Sequence, residues 1–257
     1  MRAEPLLDDQ PGEPLRWEPG TCVRGDGGVD IVEIRPELHM VVLEFGQMYV
    51  WDDAGALTLV DTGIATSGPD VAEALSRLGR RTDDVRQVVL THFHEDHCGA
   101  AAEIAGWGEV TVMAHRREAP VIRGDAPGPP PAFTDEERAL HRTLGAHLLP
   151  PAPPCRVDRE LEDGDVIAFG GGARVIATPG HTDGSIAVHL PGPGVLFTGD
   201  TVAHVGGQVM PGVFNLDRAE MLRSFARLAR LDARVACVGH GEPIRDAGAA
   251  LAAAVAL

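Results

Sequence analysis

A layered α/β protein is predicted by three features of the 257-residue chain. Apolar runs short enough for strands alternate with helix-period segments. Gly, Asp and Pro turn residues bound those runs. Five of them lead directly into a side chain of the metal-ligating types, as expected where the carboxyl ends of several strands share one edge. With 44% hydrophobic residues the chain can bury one large core, and no compositional break divides it, so a single domain over residues 1–257 is expected.

The first 20 residues are acidic and proline-rich and are expected to form a loosely held, mobile arm. Strands are predicted at 29–34, 40–45, 48–51 and 57–60, the last running into Asp61-Thr62-Gly63. A helix over 69–78 follows, with Val71, Leu75 and Leu78 on one face. The run Val88-Val89-Leu90 reads as a buried parallel strand, residues 99–105 as a helix of small residues, and 109–114 as the next strand. Between 116 and 154 the alternation breaks. Two proline-rich stretches flank a helix opened by the capping box Thr134 to Glu137, with Leu140, Leu144 and Leu148 at spacing four. Such an insertion reads as a lid near a site; the alternatives are surface decoration or a contact between two copies of the chain in a homodimer. A hairpin over 166–169 and 174–177 leads into Thr178-Pro179-Gly180-His181. Strands at 185–189 and 194–197 follow, the second running into Thr198-Gly199-Asp200. A helix over 218–231 is capped by Asp217 and buried through Met221, Leu222, Phe225 and Leu228. A last strand, 235–238, runs into Gly239-His240-Gly241.

The densest chemistry lies in VVLTHFHEDHCGA, residues 88–100, which gathers His92, His94, Asp96 and His97 within six positions. In an extended segment alternate side chains point the same way, so His92 and His94 can share one metal ion while the chain turns and presents Asp96 and His97 to another. The strand ends at Asp61, His181, Asp200 and His240 bring further ligand types toward that edge. Taken alone, Asp61 reads equally well as a turn aspartate.

The motif His92-Phe93-His94-Glu95-Asp96-His97, with His181, Asp200 and His240, resembles the metallo-β-lactamase superfamily over nearly the whole chain. The resemblance implies a four-layer αββα sandwich with metals at one edge. It implies that His92, His94 and His181 bind one metal, that Asp96, His97 and His240 bind the second, and that Asp200 bridges both. Asp61 then matches an aspartate behind the ligands that orients their loop, as metal-ligating histidines generally require.

A site of imidazoles and carboxylates without thiolate suits zinc, and also iron or manganese. Two such cations would lower the pKa of a bridging water and polarise the oxygen under attack, so a binuclear metal-dependent hydrolase is expected, with Asp96 orienting the hydroxide and passing a proton to the leaving group. The ligand pattern is closer to glyoxalase II-like thioesterases and acyl-homoserine lactonases than to β-lactamases, the commonest of which carry cysteine where this chain has Asp200. The expected reaction is cleavage of an ester, thioester or lactone of a small, partly apolar acyl substrate. Glyoxalase II carries a helical C-terminal extension that this chain does not match, and the lactonases use a tyrosine that Tyr49, the only tyrosine, does not clearly match. The alternative is an iron persulfide dioxygenase, although its usual Gly-Arg-Thr-Asp stretch is replaced by residues 202–207. A β-lactamase, a phosphodiesterase and a metal-holding scaffold without turnover are weaker readings.

The formal charge of -16 opposes binding to phosphate backbones, so a small-molecule substrate is expected rather than nucleic acid. No apolar run approaches the ~20 residues of a membrane span. Cys22, Cys98, Cys155 and Cys237 lack paired spacing, which suits reduced thiols and a cytoplasmic setting. Cys98 reads as a small packed residue. His39, His141, His147 and His189 read as surface or satisfied polar residues, and His115 as one that approaches the edge. His204, Met210, Phe214, Leu144 and Leu148 are expected to wall a substrate pocket, with the insertion on one side and residues 209–214 on the other.

Overall fold

The computed structural model describes residues 29–255; the expected N-terminal arm and Cys22 lie outside them. Two seven-stranded sheets form the middle of the molecule. In the first, β1 (Asp30–Arg35), β2 (Leu38–Val42), β3 (Gln47–Asp53) and β4 (Ala56–Val60) make an antiparallel meander. This sheet continues in parallel through β5 (Val85–Leu90), β6 (Thr111–His115) and β7 (Arg159–Leu161). The second contains β8 (Val166–Ile167), β9 (Ala173–Ala177), β10 (Ile186–Leu190) and β11 (Val195–Val205), followed by β13 (Val235–Gly241) and β14 (Ile244–Arg245), while β12 (Gln208–Pro211) pairs with β11.

The period-two pattern explains the layering. Val88 and Leu90 face a core shared with the helices α1 (Gly68–Arg77), α2 (Glu95–Cys98), α3 (Ala101–Ile104) and α4 (Ala119–Ile122), whereas Val89 faces the second sheet. Tyr49, Trp51, Val60 and Met113 join Val89 there, against Val175, Val188, Phe197 and Cys237. The opposite face of the second sheet, through Ala187, Leu196, Ala236 and Val238, packs on α6 (Arg218–Leu228) and α7 (Ala247–Val255). Three cores between four layers make an αββα sandwich.

Several expected boundaries move, for identifiable reasons. The helix predicted at 99–105 is the shorter α3, separated from the unpredicted turn α2, where the His97 carbonyl accepts from Thr62 N (2.7 Å) and Thr62 Oγ1 (2.9 Å) instead of continuing the ladder. Asp200 lies inside β11 rather than beyond it: the strand continues past a bulge and turns through Gly206-Gly207, both at positive φ, into β12. His240 likewise lies inside β13. The helix α6 stops at Leu228, and residues 230–231 close it with the i→i+3 bonds of a tightened last turn. The strands β7, β12 and β14 and the helix α7 have no counterpart in the sequence reading.

The insertion carries α4, an irregular proline stretch and α5 (Asp135–Thr143), whose Thr134 and Glu137 form the expected reciprocal cap. Leucine spacing misleads here. Leu140, Leu144 and Leu148 are 40%, 52% and 75% exposed, and the side chain that α5 buries is Glu137. The chain leaves helical geometry at Gly145 (φ 72°), so Leu148 never stacks below Leu144.

Candidate metal centre

Three imidazole nitrogens meet at the edge where β5 and β9 end. His92 Nε2, His94 Nδ1 and His181 Nε2 lie 3.1, 3.0 and 3.2 Å apart pairwise. Nitrogens about 2.0–2.1 Å from one tetrahedral zinc would stand roughly 3.3 Å from each other, so the triangle already has the size of a metal's ligand face. A second group lies alongside. His240 Nε2 is 3.2 Å from Asp96 Oδ2 and 3.3 Å from Asp200 Oδ2, and His97 Nε2 is 3.2 Å from Asp200 Oδ1. Asp200 Oδ2 is also 3.7 Å from His181 Nε2, so this carboxylate reaches both groups. His97 Nε2 and Asp200 Oδ1 are buried without a well-directed hydrogen bond, an arrangement that costs stability unless a cation takes up their lone pairs. Three combinations of these residues hold ligand atoms within 4.8 Å of one another. This donor set, nitrogen and carboxylate oxygen without sulfur, fits zinc, iron or manganese.

Protonation matches that use at three of the rings. Burial, then repulsion from the other rings, lowers His92 and His94, the latter to about 3, and burial lowers His181. These three imidazoles are therefore neutral, as metal ligands must be. For His97 and His240 burial works in the same direction, but the carboxylates outweigh it: Asp200, Asp96 and Asp61 hold His97 well above its ordinary value, and Asp200 and Asp96 bring His240 to about 10. Against the burial that would raise them, the neighbouring histidines hold Asp96 and Asp200 below the usual carboxylate range.

Asp61 sets the orientation of two of the rings. Its Oδ2 is 2.9 Å from His97 Nδ1 and accepts from Thr91 Oγ1 (2.8 Å), while Oδ1 accepts from Thr91 N (2.8 Å). Because the Thr91 hydroxyl donates to this carboxylate, it accepts from His92 Nδ1 at 3.0 Å, which leaves the lone pair of His92 Nε2 facing the cluster. The same logic frees His97 Nε2. Asp61 adopts a left-handed φ of 62°, a conformation that short polar side chains tolerate best. Gly239 is required by proximity: a Cβ there would lie 2.0 Å from Asp200 Oδ1 and 2.9 Å from the His97 ring.

Three polar residues that the sequence reading overlooked hold the edge in place. Glu118, 1% exposed, accepts from Phe93 N (2.9 Å), between two of the histidines, and from Gly184 N (2.7 Å), just beyond His181. Burial raises its carboxyl to about 7. Gln47 Nε2 donates to the carbonyls of Val238 (2.9 Å) and Gly241 (2.5 Å), which flank His240. Asn215 Nδ2 donates to Gly212 O, and its Oδ1, like His181 Nδ1, is buried without another partner. The Asn215 side chain opposes the lowering of the His181 pKa by burial.

The expected pocket residues divide. Phe214 packs on Phe133 (ring centroids 5.7 Å apart) and His141 (5.2 Å), and Ala132 N donates to Asn215 O, so the insertion does lie against the segment after β12. Leu144 and Leu148 face solvent, as does the 40% exposed Met210. The His204 ring donates from Nδ1 to the Glu242 carbonyl at 2.9 Å. Tyr49 is buried between the sheets and donates to Val238 O at 2.7 Å. Cys98 is buried and donates to Phe93 O; burial pushes its thiol up, so it is a packed thiol rather than a thiolate. Cys155 and Cys237 are also free. His115 lies behind Gly184, and His189 is buried in β10, away from the cluster.

The family model of the Metallo-beta-lactamase superfamily matches residues 42–240, from β2 to the last ligand histidine. The "Probable metallo-hydrolase YflN" of Bacillus subtilis is 29% identical over 89% of this chain and 91% of its own length. Hydroxyacylglutathione hydrolases of Fuscovulum blasticum and Gloeobacter violaceus are 33% and 34% identical over 73% and 74% of this chain. The chain spans only 58% and 60% of their lengths. Among solved structures, a metallo-beta-lactamase family protein of Thermus thermophilus superposes with a TM-score of 0.65 at 29% identity, over 86% of this chain and 79% of that one. Among the described residues no helix is long and apolar enough to cross a membrane.

Proposed function

Because the chain belongs to the metallo-beta-lactamase superfamily, we propose that it is a binuclear metal-dependent hydrolase of small esters, thioesters or lactones. The observation that carries this reading is Asp200, whose two oxygens reach toward the three-nitrogen group and toward the His97 and His240 pair. His92, His94 and His181 would hold one divalent cation, Asp96, His97 and His240 the other, with Asp200 shared and zinc the best match to the donors. When bound, such cations supply a water of lowered pKa and polarise the carbonyl under attack. Asp96, held by His240 at the rim, would orient the attacking water through its carboxylate, accept the proton the water releases and pass it to the departing alkoxide or thiolate. Asp61 keeps the ring tautomers fixed throughout, and Glu118 keeps the two ligand loops at constant separation. The hydroxyacylglutathione hydrolases among the relatives support thioester or ester cleavage over other hydrolyses.

The test is a screen of zinc-, iron- and manganese-loaded protein against aryl esters, thioesters, lactones, phosphodiesters and a β-lactam, with oxygen uptake recorded in parallel. Ester, thioester or lactone turnover with close to two ions per chain is expected. Oxygen consumption with a persulfide by the iron form, and no hydrolysis, would assign the dioxygenase reading instead.

A further inference from the structure

A cavity of about 450 Å³ opens beside the ligand His94, within the size range of small-molecule sites. One side is Phe93, Val121 and Ile122; the other is the proline stretch of the insertion, residues 127–131, with Pro151 and Ala152. Gly128 is seated on the Phe93 ring, where a Cβ would come within 2.6 Å of Cε2. Prolines carry no N–H. Several of the donors nearby are already used: Phe93 N by Glu118, Val121 N and Ile122 N by the Glu118 carbonyl, Ala126 N by the Pro120 carbonyl, and the Cys98 thiol by the Phe93 carbonyl. The lining holds no lysine or arginine, and Glu95 adds a carboxylate at its edge. An anionic group placed here would lose water without meeting a cation and would face the Glu95 carboxylate, at a cost far above that of an alkyl group.

We propose that this cavity receives the apolar arm of the substrate while the scissile carbonyl lies at the metal edge, and that it selects uncharged arms against carboxylate-bearing ones. The inference rests on the hydrolase reading above and narrows it. The substrates are neutral acyl esters, thioesters or lactones, and a glutathione thioester, with its two carboxylates, is a poor one.

The test compares p-nitrophenyl acetate, butanoate and hexanoate, the ω-carboxylated analogue of the hexanoate ester, and a hydroxyacylglutathione thioester, on metal-replete protein. Expected are a rise in kcat/KM of about twofold to fourfold per methylene, the upper figure corresponding to ~0.8 kcal/mol, and a loss of at least tenfold for the ω-carboxylate. Val121→Lys, which puts an ammonium into the wall, should narrow the gap between the hexanoate pair. Glu95→Gln should narrow it less, and serves if the lysine variant does not fold. A carboxylated ester or glutathione thioester that matches or exceeds the neutral hexanoate overturns the inference. If no ester, thioester or lactone is turned over, the hydrolase reading fails. The cavity is then judged by 1-hexanol alone: saturable NMR shifts of the Phe93 ring support it, and their absence overturns it.

Discussion

The two ligand groups at the sheet edge differ in what surrounds them. His92 and His181 are completely buried, neutral, and joined with His94 in a triangle whose rings have little freedom to move. Asp96, His97 and His240 mix charge with imidazole, and the His240 side chain is 39% exposed at the rim. The first group has two buried rings and the half-buried His94, whereas the second combines the buried His97 with the half-buried Asp96 and the partly exposed His240. The lesson is that one edge can hold a more buried and a more solvent-facing group of ligand-type side chains a few Å apart, with Asp200 within reach of both.

The sharpest way to break this comparison is to remove the shared carboxylate. Asp200→Ala should abolish activity and lower the affinity for both ions together; metal titration that shows one group unaffected would mean the carboxylate belongs to one side only. His240→Ala should separate the groups, taking metal content from close to two ions per chain toward one while the three-nitrogen group keeps its ion. Equal loss at both would refute the ranking of buried group and rim. Asp61→Ala, which frees the tautomers of both His92 and His97, should weaken metal affinity or activity by roughly 10- to 100-fold across both groups.

Glu118→Ala should act on the more buried side. It strands the N–H groups of Phe93 and Gly184, and a loss of roughly 2–6 kcal/mol in unfolding free energy is expected from about 1–3 kcal/mol for each unsatisfied buried donor. Denaturant unfolding reads that loss, and metal titration should show the His92, His94 and His181 group weakened more than the other. The smallest effects belong away from the edge: Leu148→Ser on the exposed end of the insertion should change stability by less than about 0.5 kcal/mol, and His189→Ala should leave metal content unaltered. A metal loss from His189→Ala as large as from Asp200→Ala would mean the ligand assignment is wrong.

Much of this molecule is local and can be read as such. The spacing in His92-Phe93-His94-Glu95-Asp96-His97 already puts two rings on one side of an extended strand, and the alternation of Val88, Val89 and Leu90 already separates two cores, because side-chain direction in a strand depends only on position parity. The caps at Thr134 and Asp217 are equally local, each needing only a partner three residues on. Gly206-Gly207 is a hairpin signal of the same local kind, masked because Asp200 reads as the end of its strand. What only the tertiary structure decided is where polar groups find partners. Glu118 serves Phe93 and Gly184 across 25 and 66 positions, and Gln47 reaches Val238 and Gly241 across 191 and 194. No periodicity encodes such bonds, since a buried carboxylate or amide is directed by whichever backbone donors or acceptors the folded chain leaves open to it. The exposed face of α5 shows the converse. Its leucines have the spacing of a buried stripe, yet burial requires a facing surface, and whether one exists is a property of the assembled layers rather than of the helix.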